Sequence, residues 1–316
     1  MNQPSIQLLS RLALARAIPF RTHRLPASGW LEASDGLRLH YLDWPGDPHT
    51  LVLLHGGALS AHTFDLLALA LGDDVRCIAL DLRGHGASGW ADEYSVERWA
   101  ADVRDLVRQF GVAAIHLAGM SLGGCVAGHA AAALGDRLAS LTFIDVGDQV
   151  NFTASARMRA FIEGVRPVAQ VEGLVRQALA VSPRTDPDLM LYRYQSLLTP
   201  GPDGFGWKAD RRRPTNFPHI LGKLAELADL APRISCPVLV VKGGRSRVLS
   251  QAGLEQFAGR FPRGGWAVVP GAGHNIQEDQ PAALAAELQL VITRAAHATL
   301  QRTADLPRSR QTRSRT

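Results

Sequence analysis

Between residues 50 and 145 the chain switches repeatedly between short, unbroken apolar runs and stretches in which apolar residues recur every three or four positions. The runs are Thr50-Leu51-Val52-Leu53-Leu54, Val75-Arg76-Cys77-Ile78-Ala79-Leu80, Ala114-Ile115-His116-Leu117-Ala118 and Leu141-Thr142-Phe143-Ile144, the last ending in Asp145. They are too short for core helices and too apolar for strands with one wet face, so they read as strands of a parallel sheet covered on both sides. Residues 94–110 carry Val96, Trp99, Val103, Leu106, Val107 and Phe110 at helical spacing, and a small-residue run through Cys125, Ala127, Ala130 and Ala133 predicts a second helix. Upstream, residues 28–34 and 37–43 alternate weakly about Asp35-Gly36, which predicts a hairpin. Strands alternating with helices place the chain in the α/β class.

The pattern changes after residue 148. Helical segments are predicted near 153–164, 168–181 and 186–198, with no apolar strand among them. The turn-rich stretch Thr199-Pro200-Gly201-Pro202-Asp203-Gly204 follows, then a basic patch, Arg211-Arg212-Arg213, which reads as a solvated loop. The sheet pattern resumes at Pro237-Val238-Leu239-Val240-Val241 and at Trp266-Ala267-Val268-Val269, and an amphipathic helix covers 281–296. The expected organisation is an N-terminal helix or arm over 1–27 and an α/β core over 28–148 and 231–296. A helical cap is inserted over 149–230, and a disordered basic tail occupies 297–316.

Charge refines this picture. The net charge is +5, but residues 1–30 hold Arg11, Arg16, Arg21 and Arg24 with no acid. Residues 301–316 hold Arg302, Arg308, Arg310, Arg313 and Arg315 against Asp305, so the body between the two ends is acidic, at −3. A nucleic-acid binder carries its positive charge on a folded face, so no nucleic-acid partner is expected. No apolar run is long enough to span a membrane. The arginines of Ile6–Arg21 interrupt any signal-peptide core; a solvated or lid-covering helix is expected there, and the compartment is read as cytoplasmic. Cys77, Cys125 and Cys236 lie far apart among apolar residues, without metal spacing, and read as buried free thiols. No metal and no cofactor is expected; oligomeric state is left open.

The candidate chemistry centres on Gly119-Met120-Ser121-Leu122-Gly123, between the third apolar run and the small-residue helix. A serine flanked at this spacing by glycines, on a strand-to-helix turn, fits a nucleophile elbow. The sharp turn leaves no room for side chains two residues to either side, and the hydroxyl sits at a helix N-terminus, where a developing anion is favoured. In parallel sheets chemistry gathers at the carboxyl ends of the strands, and His55, Asp81, Ser121 and Asp145 all stand there.

Four ordered motifs together carry a resemblance to the α/β-hydrolase family over about residues 28–296: His55-Gly56-Gly57, Asp81-Leu82-Arg83-Gly84-His85-Gly86, the serine elbow, and Gly271-Ala272-Gly273-His274. The resemblance implies an α/β-hydrolase fold with an inserted cap and a serine hydrolase. Ser121 is then the nucleophile, His274 the general base, and the N–H groups of Gly57 and Leu122 the oxyanion hole. Asp81 keeps the structural turn role it has in the family, and His55 and His85 hold loops. In most of the family the triad acid follows the strand that here ends at Val241. This chain instead reads Lys242-Gly243-Gly244-Arg245-Ser246-Arg247-Val248-Leu249-Ser250, without a carboxylate. Either the enzyme is crippled or the acid comes from the preceding strand end, where Asp145 is the first candidate and Asp148 the second. The expected activity is cleavage of an ester, thioester or lactone of a small apolar acyl compound, with a small-molecule substrate as the only partner. Carbon–carbon bond hydrolysis, or another cofactor-free reaction on this scaffold, is the alternative within enzymes. A non-catalytic ligand-binding member of the fold is the alternative outside them, supported only by the missing usual acid.

Overall fold

The apolar runs form a single eight-stranded sheet in a computed structural model that describes residues 4–304, apart from 152, 154, 155, 166 and 213–216. β1 (Ala27–Glu32) and β2 (Arg38–Trp44) make the hairpin about Asp35-Gly36, with Gly36 at φ 82°. β3 (His49–Leu54), β4 (Val75–Leu80), β5 (Ile115–Met120) and β6 (Leu138–Ile144) follow. β7 (Leu198–Gly201) and β8 (Gly204–Trp207) form a separate antiparallel pair, and β9 (Val238–Gly243) and β10 (Gly264–Val269) complete the large sheet. Its order is β1-β2-β4-β3-β5-β6-β9-β10, parallel from β4 onward and antiparallel at β1–β2 and β2–β4.

Alternation along each strand splits the core in two. Val52, Leu54, Ile78 and Leu80 face one apolar cluster with α3 (Val96–Phe110), α4 (Leu122–Leu134), α8 (Phe217–Leu230) and α9 (Gln251–Ala258). Leu51, Leu53, Cys77 and Ala79 face the other, with α2 (Asp65–Leu71) and α11 (Pro281–Ala304). Covering on both faces explains why these strands read as unbroken apolar runs. The small-residue character of α4 has a packing cause too: a Cβ on Gly128 would come within 2.5 Å of Leu227 on α8.

Between β6 and β8 the chain builds α5 (Ala156–Gly164), α6 (Val171–Val181) and α7 (Pro187–Leu197), whose Val171, Leu174, Ala178, Met190 and Tyr194 share a small core of their own. The N-terminal helix α1 (Ile6–Ala15) buries Leu8, Leu9, Leu12 and Ala13 against Leu66 and Leu69 of α2 and against Leu189 and Tyr192 of α7. No described helix is long and apolar enough to cross a membrane.

Three expectations are corrected. The insertion, expected to be helical, also holds the β7–β8 hairpin, whose tip is the turn-rich stretch 199–204, with Gly204 at φ 107°. α8, read as part of the insertion, places Ile220, Leu224 and Leu227 in the main core against the sheet. α11 continues to Ala304, so 297–304 is helical; residues 305–316 of the expected tail lie outside the described residues. Of the basic patch, Arg211 donates to the Ile162 and Glu163 carbonyls at 2.7 Å each and Arg212 pairs with Asp210 at 2.8 Å, while Arg213 lies outside the described residues.

Candidate active site

β5 delivers Ser121 to the carboxyl edge of the sheet in a conformation few residues adopt, φ 52° and ψ −114°. The reason lies in its neighbours. A Cβ on Gly119 would overlap the Gly123 carbonyl, and one on Gly123 would overlap the Leu54 carbonyl at the end of β3. Only glycines let the turn close this tightly onto the adjacent strand. The bend is pinned by Ser121 N–H donating to Ile144 O at 3.1 Å and by Gly124 N–H donating to Ser121 O at 2.9 Å. The first of these bonds sets the serine beside Asp145, the residue that follows β6.

The loop after β3 lies across the elbow. His55 is fully buried; Nδ1 donates to Gly56 O at 2.8 Å, and Nε2 accepts from Leu82 N–H at 3.1 Å. Both ring nitrogens are committed in the neutral form, and burial lowers its pKa against the pull of Asp81. His55 is therefore a strut between two loops. Gly57 stands exposed beside Leu122, whose Cδ2 would lie 4.0 Å from a Cβ at position 57. Neither the Gly57 nor the Leu122 N–H donates to a protein acceptor among the described residues.

Asp81 is occupied on every side. It accepts from Ala61 N–H at 2.7 Å, Ala87 N–H at 2.9 Å and His40 Nδ1 at 2.8 Å, and a Cβ on Gly86 would overlap its carboxylate. Burial pushes its pKa up, but the hydrogen bonds from His40 and the Ala61 N–H outweigh burial and bring it to about 2. It folds the loops and is not available to attack a substrate. His85, also buried, donates from Nδ1 to the Arg83 carbonyl, 3.3 Å away. Cys125, one turn beyond Ser121, is a core thiol pushed by burial to about 12.

The two candidate acids separate cleanly. Asp148 lies 2.6 Å from Arg260 and is taken up by that ion pair. Asp145, fully buried at φ 51°, has Oδ2 2.7 Å from His274 Nδ1 and Oδ1 2.9 Å from Gly243 N–H. A carboxylate can only accept, so Nδ1 carries the proton and Nε2 is left as the basic nitrogen. The residue the sequence reading passed over is Ser246, whose Oγ also donates to Asp145 Oδ2. The signal was present: a hydroxyl in the window where a carboxylate was sought.

His274 sits on a loop held from below. Gly273 N–H donates to Asp279 Oδ2 at 2.7 Å, at the end of the short helix α10 (Ile276–Asp279). Glu278 of α10 accepts from Thr63 Oγ1 at 2.7 Å and is paired with Arg193 of α7. Tyr192 of α7 reaches Asp65 at 2.5 Å, and Ser196 reaches Ser60 at 3.4 Å. The insertion thus docks on the two loops that carry Gly57 and His274.

A strained serine elbow, a glycine loop beside it and an imidazole held by a buried carboxylate, all at one edge of a mostly parallel sheet, define an α/β-hydrolase architecture. The profile of the alpha/beta hydrolase family matches residues 51–287, and the chain belongs to that family. It is similar to an esterase of Mycobacterium tuberculosis, 30% identical over 77% of this chain and 82% of that protein. It also resembles a 3-hydroxybutyrate-oligomer hydrolase of Cupriavidus necator, 28% identical over 82% of this chain and 96% of that protein. A solved structure of the M. tuberculosis esterase superposes with a TM-score of 0.73 at 25% identity, covering 90% of this chain and 97% of that one.

Proposed function

We propose that the protein is a serine hydrolase that cleaves an ester, thioester or lactone of a small apolar acyl compound. The observation that carries the reading is the 2.7 Å bond between Asp145 and His274 beside the serine elbow. A buried anion against His274, where the turn after β9 offers none, supports the catalytic reading over a non-catalytic member of the fold. Ser121 Oγ attacks the acyl carbon while His274 Nε2 takes its proton; the imidazolium is stabilised by Asp145. The oxyanion faces the N–H groups of Gly57 and Leu122. Collapse expels the alcohol, protonated by His274, and water then releases the acid by the same route. Similarity to an esterase and to a 3-hydroxybutyrate-oligomer hydrolase supports the ester reading. The insertion acts as a cap, and its docking on the Gly57 and His274 loops favours a role in shaping the acyl site.

The test is turnover of p-nitrophenyl acetate and butyrate together with fluorophosphonate labelling. Labelling at Ser121 that disappears in Ser121→Ala is expected. Folded protein that neither labels nor turns over any ester sinks the proposal.

A further inference from the structure

The turn after β9 carries no carboxylate, yet it grips the one that β6 supplies. We propose that Ser246 is a positioning residue for Asp145: its hydroxyl gives its proton to Oδ2, the same oxygen that receives His274 Nδ1–H. This rests on the reading of Asp145 as the triad acid.

The direction of the hydroxyl proton follows from its surroundings. Val248 N–H donates to Ser246 Oγ at 3.2 Å, so that oxygen already accepts there. Its proton is free to point at Asp145, which cannot donate to it. The serine is also clamped before it bonds. Ser246 N–H donates to Gly243 O at 2.9 Å, and Arg245 N–H to Ala272 O at 2.8 Å. The buried Lys242 ammonium donates to Gly243 O at 2.8 Å and to Ser246 O at 3.1 Å. A donor held this firmly loses little freedom on bonding, so it can fix the rotation of the carboxylate.

Oδ1 is held by Gly243 N–H and Oδ2 by Ser246 and His274, so the carboxylate plane is set toward the imidazole. Two consequences separate Ser246 from a residue that merely fills space. Without the hydroxyl the carboxylate can turn, and fewer imidazoles are correctly aligned. Charge that the hydroxyl had drawn off Oδ2 falls instead on His274, which then holds its proton more tightly. The charged groups packed around this turn are Lys242 of β9, Arg245 of the turn itself, Asp279 and Glu278 of α10 and Arg193 of α7. All of them are unchanged by a substitution at 246.

The experiment is kcat and KM for p-nitrophenyl butyrate across the acid limb of the pH profile, with the full chain and its Ser246→Ala, Ser246→Thr and Ser246→Cys variants. Ser246→Ala is expected to lower kcat roughly 10-fold with KM nearly unchanged, and to move the acid limb up by about half a pH unit. Ser246→Thr keeps the hydroxyl and should restore both; Ser246→Cys, a weaker donor of similar volume, should fall between. A folded Ser246→Ala with wild-type kcat and an unmoved limb overturns the inference, as does a Thr variant as damaged as Ala. Should the Ala variant not fold, the Thr and Cys variants decide by the same criteria. Asp145→Asn measured alongside separates the two readings. If it too keeps full activity, the triad reading has failed; if it is inactive while Ser246→Ala is silent, only the role of Ser246 is lost.

Discussion

Ser121 and Asp145 share an unusual backbone, with φ of 52° and 51°. Each sits at the end of its strand, where the chain must turn at once to aim a side chain along the sheet edge. Asparagine tolerates this region of φ better than most residues, so Asp145→Asn should leave the thermal transition nearly in place. It should lower kcat by roughly 10⁴-fold, because the amide no longer stabilises the imidazolium and favours the wrong tautomer. Asp148→Asn, which breaks only the partly exposed pair with Arg260, should keep kcat within about threefold of wild type; steady-state kinetics on the two variants checks both. The elbow glycines are subject to a stability test. A methyl at Gly123 would overlap the Leu54 carbonyl of a central strand, so Gly123→Ala should cost on the order of 3 kcal/mol in urea unfolding. Ser121 and His274 could be read from the chain because local motifs mark them. The sequence ranks Asp145 ahead of Asp148 only by its place at the strand end; the partners that distinguish them lie far away in the chain, Arg260 beside one and His274 beside the other.

At the scale of elements, α7 is joined to the core by buried polar pairs rather than by apolar contact alone. Burial opposes the charge on Arg193, but Glu278 outweighs it and the arginine stays firmly protonated. Glu278→Gln leaves that guanidinium buried without its counter-charge, which should cost about 3 kcal/mol. Removing both charges, as Arg193→Leu with Glu278→Leu, should cost less than Glu278→Gln alone. Urea unfolding of the single and double variants checks the order, and kcat/KM should fall with the single variant because the pair lies under the His274 loop. The strands and helices of the sheet were legible because each buries a regular stripe. The β7–β8 hairpin was not: its strands are short and rich in Pro and Gly, and only Phe205 and Trp207 point to packing. α8 falls within the range expected for the insertion, and an amphipathic helix does not announce which core it faces; α4, made of small residues to receive it, holds the complementary clue.

Over the whole molecule, buried neutral histidines couple stability to pH. Burial, then the neighbouring His55, lowers His85 to about 4, and burial, then His49, lowers His116 to about 4, against 6.5 for the free side chain. A histidine whose folded pKa is depressed binds its proton in the unfolded chain first. Its contribution is therefore fully present above pH 6.5 and is lost as pH falls toward 4. Lowering the pH from 7 to about 5 should remove on the order of 2 kcal/mol per ring. For two rings that is a large share of the roughly 5–15 kcal/mol typical of a folded domain. Asp81 does not contribute over this range, because its carboxylate stays ionised down to about 2. His116 can be removed without touching the active-site edge, since its Nδ1 bonds only Ser140 Oγ, at 2.8 Å, between β5 and β6. His116→Gln should flatten the dependence of the urea midpoint on pH in part, leaving the share carried by His55 and His85. The midpoint is followed by circular dichroism, which reads loss of fold independently of activity. An unchanged slope in that variant would assign the acid sensitivity to groups other than the buried imidazoles.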